Sequence, residues 1–565
     1  MKAALRKIAA YAAALMMLTC LPVFSAGQDD GLPFEGAGTP EEPFLISGAE
    51  DLRVLSDAVN SGTDCEGLCF LMTEDADLSI FSGWTPVGSG LDDGNGDVLA
   101  FCGTFDGGGH TVSGLTVSGG PFGHSGLFGM TRGGSVRDLL IDGAEVGGAS
   151  NAGALVGESV GTVIENVSVN AYVYGQTALG GIAGSAAGGR FSGCTADVVM
   201  EGVRSVGGIL GSARDTQVVN CSARTDAVGD EFVGGMIGIG QGVHIGNCTS
   251  EGAVDAEKDP GGIAGYCFDS FVLNCVNRTS VSGRERPGGI AGFAQNTPFE
   301  DCLNLGSIEG GRFAGGICGS CAGGSLTRCV NRASVCGTEY TGGLLGFTDD
   351  GDEAGDSGLD CTVSQCMNTG SVSGTWGVGG LIGDAHDAFV YDCFNTAPVS
   401  ADEYAGGVVG YTGESSFARC YNVGNVASEY PAGGVVGRVS YTGAEFSDCY
   451  YIDSCCGGDE YGAALSAYEL LDASSYGGFD FENVWTIGGD GYPYARLHDT
   501  AAPLPLSGDA NGDGTVSSAD ALLALRCAMG LVTFTPLQIF RADCDGDGVV
   551  TAQDAVYAMR VSMGY

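Results

Sequence analysis

The chain has 565 residues, 101 of them glycine, and its 69 acidic against 23 basic side chains give a formal net charge of −46. Such a surface repels nucleic acid and anionic lipid, which excludes both as partners. An apolar content of 44% excludes a disordered acidic chain, and glycine does not recur at every third position, which excludes collagen.

In chain order, residues 1–25 read as a signal peptide. Lys2, Arg6 and Lys7 precede an apolar run from Ile8 to Leu21, and small residues near Val23–Ala26 offer a cleavage site. The run is too short for a stable membrane span. The expectation is a secreted, extracellular protein. Residues 26–125 hold an N-terminal cap and the first coils. Within them, AEDLRVLSDAVNSG at 49–62 has helical spacing and stops at a glycine.

Residues 126–450 repeat. A glycine pair, two further residues (mostly apolar) and a glycine recur as GGIAG at 180–184, GGILG at 207–211, GGMIG at 234–238 and onward to GGVVG at 433–437. From Gly157 to Gly346 the closing glycine falls every 27 residues; one step of 37 follows, then the beat resumes. β-Branched residues, two-residue alternation and glycine at corners argue against helices. Three strand-like runs per period predict a mainly β fold. It is a right-handed parallel β-helix solenoid with 27-residue coils, whose interior only stacking can bury. About a dozen coils at ~4.8 Å each give a rod of roughly 60 Å. With WTPVG at 84–88 and GTFDGGGHTVSGLTV at 103–117 upstream, and FDFENVW at 479–485 downstream, these repeats resemble the GLUG-motif family of secreted proteins. That resemblance implies a β-helix in an extracellular setting and no particular reaction.

Three columns run through the repeats. Cys194, Cys221, Cys248, Cys275, Cys302, Cys329, Cys366, Cys393 and Cys420 each hold one slot, with Cys449 close to register. Equivalent side chains on in-register strands point the same way, so a buried stack of thiols is expected in preference to disulfides. Cys318 in the CxxC of 318–321 occupies a core slot. Asn277, Asn304, Asn331, Asn368, Asn395 and Asn422 form a second column, expected to be a structural amide ladder or αL corner residues. Phe313, Tyr340, Trp376, Tyr404 and Tyr430 stand at a turn on consecutive coils, after Phe232 upstream. They are either turn packing or a row that stacks on sugar rings. The ten-residue insertion between Gly346 and Cys366 carries Asp349, Asp350, Asp352, Glu353, Asp356 and Asp360 as a calcium-binding or merely solvated loop.

Residues 451–498 read as a C-terminal cap with a helix in LSAYELLDA, and 499–507 as a proline-bearing linker. Residues 508–565 hold two acidic loops, each followed by an apolar helix, offset by 34 residues. Asp509, Asn511, Asp513, Thr515, Ser517 and Asp520 occupy loop positions 1, 3, 5, 7, 9 and 12 of the first. Asp543, Asp545, Asp547, Val549, Thr551 and Asp554 do so in the second. Alternate residues of a tight loop converge oxygens on a hard cation, and Gly514 and Gly548 permit the turn. The helices repeat one grammar, with Arg526 matching Arg560. The pair resembles a type I dockerin domain. That resemblance implies a small all-α module with two Ca2+ ions that docks onto a cohesin module of a scaffold protein. The recognition positions it implies are Ser518, Ala519 and Arg526 in one copy and Ala552, Gln553 and Arg560 in the other.

The function expected is a secreted component of a cohesin–dockerin complex engaged in plant cell-wall polysaccharide breakdown, with the solenoid binding glycan or a surface. The alternatives are a carbohydrate-active enzyme on the β-helix, whose catalytic residues the sequence does not single out, and a passive rod.

Overall fold

The computed structural model describes residues 32–92, 98–119, 123–348, 360–430, 432–440, 443–466, 468–487, 496–497, 508, 510, 516–534, 542, 544 and 549–563. The expected leader, the linker and most of the acidic insertion lie outside them.

The glycine motif sets the architecture. At Gly261 a Cβ would stand 1.9 Å from the Ala264 carbonyl oxygen, so any side chain there would break the corner. The second of the motif's two middle positions joins a continuous parallel ladder, Ala183↔Leu210↔Ile237↔Ala264↔Ala291↔Cys318↔Leu345. It continues through Ile382, Val409 and Val436. The result is a mainly β solenoid of about 14 turns. Its interior is filled by Val, Ile, Leu, Phe and Cys side chains in one cluster from Phe44 to Cys455.

Coils carry more sides than the three-run pattern suggests. The run FVLNCVN divides into strands Phe271–Leu273 and Val276–Asn277, because Asn274 between them adopts φ 50°. The residue before the ladder cysteine turns in this αL conformation in coil after coil: Asn220, Asn247, Asn274, Asp301, Arg328, Gln365, Asp392, Arg419 and Asp448. Asn and Asp tolerate that region because their short side chains bond locally. The αL role expected of the Asn277 column thus belongs to these residues instead.

The Asn277 column is the buried amide ladder. Each Nδ2 donates to Oδ1 of the next coil's asparagine at 2.8 Å, from Asn277 through Asn304, Asn331, Asn368 and Asn395 to Asn422. Each amide also closes on the backbone two residues ahead, as where Asn331 Nδ2 donates to Ala333 O at 2.9 Å and Oδ1 accepts from Ala333 N at 3.2 Å. All six are fully buried and bonded on both sides, which is what a buried polar group requires. The cysteine column is buried and unpaired by disulfides. Burial pushes the thiols of Cys275, Cys302 and Cys329 well up, so they behave as small apolar groups.

The insertion is confined tightly. Leu345–Thr348 pairs with Cys318–Cys321, whereas Cys361–Ser364 pairs with Gly324–Thr327, so the extra residues enter between Thr348 and Cys361. Asp349, Asp350, Asp352, Glu353 and Asp356 lie outside the described residues.

At the N-terminal end, helix Ala49–Asn60 forms where its spacing places it and buries Leu52, Leu55 and Val59. Its Ser56 hydroxyl donates to Thr85 O at 2.8 Å. The helix expected in LSAYELLDA does not form. Strand Ala463–Leu465 is followed by two 3-10 turns, Glu469–Leu471 and Ala473–Ser475. Asp472 accepts from Ser474 N at 2.9 Å and restarts the turn, a local bond that competes with helix propagation. This segment packs a second cluster, with Tyr476, Phe479 and Trp485 against Phe394 and Tyr421.

Candidate functional site

The C-terminal helices, Ser518–Ala528 and Ala552–Ser562, open on the same capping box. The Asp520 carboxylate accepts from Ser517 N at 2.9 Å and Ser517 Oγ at 2.8 Å; Asp554 accepts from Thr551 N at 2.8 Å and Thr551 Oγ1 at 2.9 Å. Asp554 also accepts from Cys544 N at 2.7 Å. Both carboxylates are buried, and Arg526 and Arg560 sit in the last turns where a cation suits the helix dipole.

Of the expected calcium donors, Ser517, Asp520, Val549, Thr551 and Asp554 are described; Asp509, Asn511, Asp513, Thr515, Asp543, Asp545 and Asp547 lie outside the described residues. The donor set is all oxygen, with a buried carboxylate closing each loop, and that chemistry fits calcium. The expected recognition residues Ser518, Ala519, Arg526, Ala552, Gln553 and Arg560 are all exposed. Beside them the helices expose matching apolar residues, Leu522 with Val556 and Met529 with Met563. Large apolar side chains thus stand in solvent at equivalent positions of the two helices.

On the solenoid, one corner carries a belt of rings. Phe313 and Tyr340 stack at 5.5 Å and 11°, so each covers a face of the other. Trp376 breaks the pattern, standing at 86° to Tyr340 and 90° to Tyr404. Guanidinium groups cap the belt. Arg312 lies 4.6 Å over Phe313, and Arg438 lies 4.9 Å over Tyr404 and donates to its hydroxyl at 2.8 Å. Four of the five residues expected in this column therefore come together, while Tyr430 is exposed apart from them.

The sequence column missed the second half of the belt. Phe347, Asp384 and Tyr411 are successive register partners on the neighbouring strand. With them the rings close a circuit: Tyr340–Trp376 at 4.8 Å, Trp376–Tyr411 at 5.4 Å, Tyr411–His386 at 6.2 Å, His386–Phe347 at 6.3 Å and Phe347–Tyr340 at 6.3 Å. Asp384, 3% exposed, takes a slot its neighbours fill with aromatics. Its Oδ1 lies 3.2 Å from His386 Nε2, off the line a hydrogen bond needs, and has no hydrogen-bond partner among the described residues.

Burial raises the Asp384 carboxyl, which His386 only partly offsets, and the Asp384 carboxylate raises His386 against its own burial. Burial, then Asp384 and Tyr411, push the Tyr340 phenol up to about 12. Both members of the Asp384–His386 pair are raised in the fold, so each favours folding most below its ordinary pKa and loses that contribution as pH climbs through the raised value. Asp384→Asn is expected to flatten the fall in stability as pH rises above the ordinary carboxylate range, leaving the variant more stable than the parent chain at the upper end. Urea midpoints across that rise check it; a slope left unchanged would refute the assignment.

A second surface feature was not legible in the repeats. An open trough of about 580 Å³ crosses four successive coils, with Gly119, Gly148, Gly175 and Gly202 on its floor and Tyr172, Tyr174 and Glu201 along it. Partial burial and then the Glu201 carboxylate raise the Tyr172 phenol.

Among known proteins, a stretch of 149 residues is 30% identical to halomucin of Haloquadratum walsbyi, covering 25% of this chain and 2% of that protein. Another alignment, of 155 residues at 34% identity, reaches a provisionally named Gly-rich membrane protein of Evansella cellulosilytica, over 26% of this chain and 16% of that one. The chain thus spans a small part of the length of both relatives. A crystal structure provisionally assigned as an immunoglobulin A1 protease from Bacteroides ovatus aligns over 83% of this chain and 95% of its own at 17% identity, with a TM-score of 0.22, too low to carry an argument. Among the described residues no helix is long and apolar enough to cross a membrane. Residues 507–560 match the Dockerin type I domain, a family that generally binds calcium, so this β-solenoid carries a type I dockerin at its C-terminal side.

Proposed function

We propose that the chain is a secreted component of a cohesin–dockerin complex for polysaccharide breakdown. In this reading residues 508–565 hold two Ca2+ ions through the loop residues named above and dock onto a scaffold cohesin through the exposed helix faces. The right-handed, GLUG-type β-helix of 126–450, closed by caps at 26–125 and 451–498, then presents a glycan-binding surface to plant cell-wall polysaccharide. The observation that carries the docking half is the dockerin match over 507–560.

For the solenoid half, support comes from the turned ring of Trp376 on a belt of half-buried aromatics. Trp376 is half-exposed, edge-on to Tyr340 and Tyr404 and tilted 32° to Tyr411, and exposed aromatic surface of this kind packs on the apolar face of a sugar. Trp376→Ala in the full chain is expected to weaken retention on an insoluble neutral polysaccharide about tenfold, the upper end of what one ring contact contributes. A depletion isotherm on the solid reads this directly, and equal retention of the two chains would remove Trp376 from the binding surface.

One observation favours a second reading, a carbohydrate-active enzyme. A buried carboxyl whose pKa burial raises, beside a histidine and inside a ring of aromatics, has the surroundings of a tuned acid–base group. Release of new reducing ends from cell-wall polysaccharides by the full chain, lost in Asp384→Asn, would establish it.

A further inference from the structure

We infer that the trough between Gly119 and Val203 is a separate binding subsite for a neutral glycan chain, with Tyr172 and Tyr174 as its platform and Glu201 as an acceptor for sugar hydroxyls. The trough lies on the early coils, in register positions that the later ring belt does not occupy. Its floor runs across the stack: Gly147 pairs with Tyr174, Tyr174 with Glu201, and Gly148 with Gly175. Four coils at ~4.8 Å spacing give it a run of about 14 Å, enough for a short oligosaccharide lying along the rod axis.

The sequence makes specific room here. At Gly147 a Cβ would stand 2.5 Å from the Tyr174 ring, so glycine lets that ring lie down over the upstream coil. Tyr172, two residues away on the same face of the strand, packs beside it at 5.2 Å and 26°. The two rings stack on one another, and the half-exposed pair presents an outer ring face and ring edges to the trough. Val199, the register partner of Tyr172, and Val228, the partner of Glu201, are both exposed, as is Val203 at the trough's end. At Gly175 a Cβ would stand 1.9 Å from the Gly148 carbonyl oxygen, and at Gly202 2.5 Å from Val206, so neither position accepts a side chain and the outer side is bare backbone. Apolar planes edged by carboxylate, amide and backbone groups match a sugar ring, which is apolar on its faces and hydroxylated at its rim.

Charge selects the class of glycan. Glu201 lines the trough, Glu145 is the register partner of Tyr172, and among the described residues no basic side chain lines the trough. With the chain at −46, a uronic-acid polymer would be repelled. The volume falls within the range of roughly 300–1,000 Å³ typical of small-molecule sites.

The test uses the full calcium-loaded chain, with soluble xyloglucan and glucomannan as neutral probes and polygalacturonate as the anionic one. Isothermal titration should show neutral-probe binding that the Tyr172→Ala/Tyr174→Ala double variant weakens at least about tenfold and Tyr172→Phe/Tyr174→Phe retains. Trp376→Ala, which probes the belt, should leave a measurable remainder. Loss only in Trp376→Ala would place all binding on the belt and overturn this subsite. Absence of neutral-probe binding by the parent chain, preference for polygalacturonate, or an unmoved affinity in the double alanine variant would overturn it as well. Circular dichroism of each variant separates loss of binding from loss of fold.

Discussion

Replacing Asn331 by leucine is expected to destabilise the solenoid by at least about 4 kcal/mol, since four bonds are lost and each polar group left without its partner costs ~1–3 kcal/mol. Leucine has the same branching as asparagine and nearly fills its space, so the effect isolates the hydrogen bonds. Four are lost at once: from Asn304 Nδ2, to Asn368 Oδ1, and both bonds to Ala333. The site cannot relax toward a better fit, because Asn331 already abuts Gly316, where a Cβ would lie 2.5 Å from its Cγ. Coil stability in a solenoid depends on its neighbours, so the break should open the adjoining coils together. Amide hydrogen exchange and urea unfolding measure this. The control is Asn247→Gly in the surface row, where Asn247 donates to Asn220 at 3.1 Å and sits at φ 54°, a conformation glycine accepts. It should shift stability by no more than about 0.5 kcal/mol. Equal losses in the two variants would mean the buried ladder contributes no more than the exposed one.

Calcium removal is expected to have the second large effect. Asp520 and Asp554 are buried carboxylates, and the loops before them add Asp509 and Asp513 in one copy and Asp543, Asp545 and Asp547 in the other. Without a cation, these charges must spread apart, and the capping boxes that start both helices go with them. Cohesin affinity should fall at least about a thousandfold in EDTA, the equivalent of ~4 kcal/mol of lost linkage. Calcium should restore it, and magnesium at the same concentration should not, because its small octahedral shell suits these loops poorly. The double change Asp509→Ala and Asp543→Ala should reproduce the loss in the presence of calcium. Surface plasmon resonance against an immobilised cohesin is the measurement, and undiminished binding in EDTA would refute the calcium-dependent docking proposed for these loops.

The glycine beat and the cysteine column were readable because a solenoid writes one structural slot at one sequence spacing. The buried thiols and the position of the insertion followed from that. Side-chain orientation did not. Phe313, Tyr340 and Trp376 share one column, yet two rings stack flat and the third turns edge-on, a matter of local packing that spacing cannot express. Asp384 escaped because one carboxylate in an acidic chain is unremarked until its neighbours Phe347 and Tyr411 are seen to be rings. The trough escaped for a different reason. It is assembled from single residues of coils that begin before the repeat becomes regular, and only register brings Gly147, Tyr174 and Glu201 side by side. In LSAYELLDA, helical spacing was present, but the Asp472 side chain offered the backbone a shorter turn.

The asparagine column also has a direction. Every Nδ2 from Asn277 to Asn395 points toward the next coil in chain order, so its amide dipoles add head to tail. The last wound coil therefore always presents an unspent donor, and the incoming coil arrives with the matching acceptor. The two ends of the ladder differ accordingly: at the first coil Asn277 Oδ1 faces the Ser250 hydroxyl at 2.9 Å, and at the last Asn422 Nδ2 donates to Gly424 O at 2.8 Å.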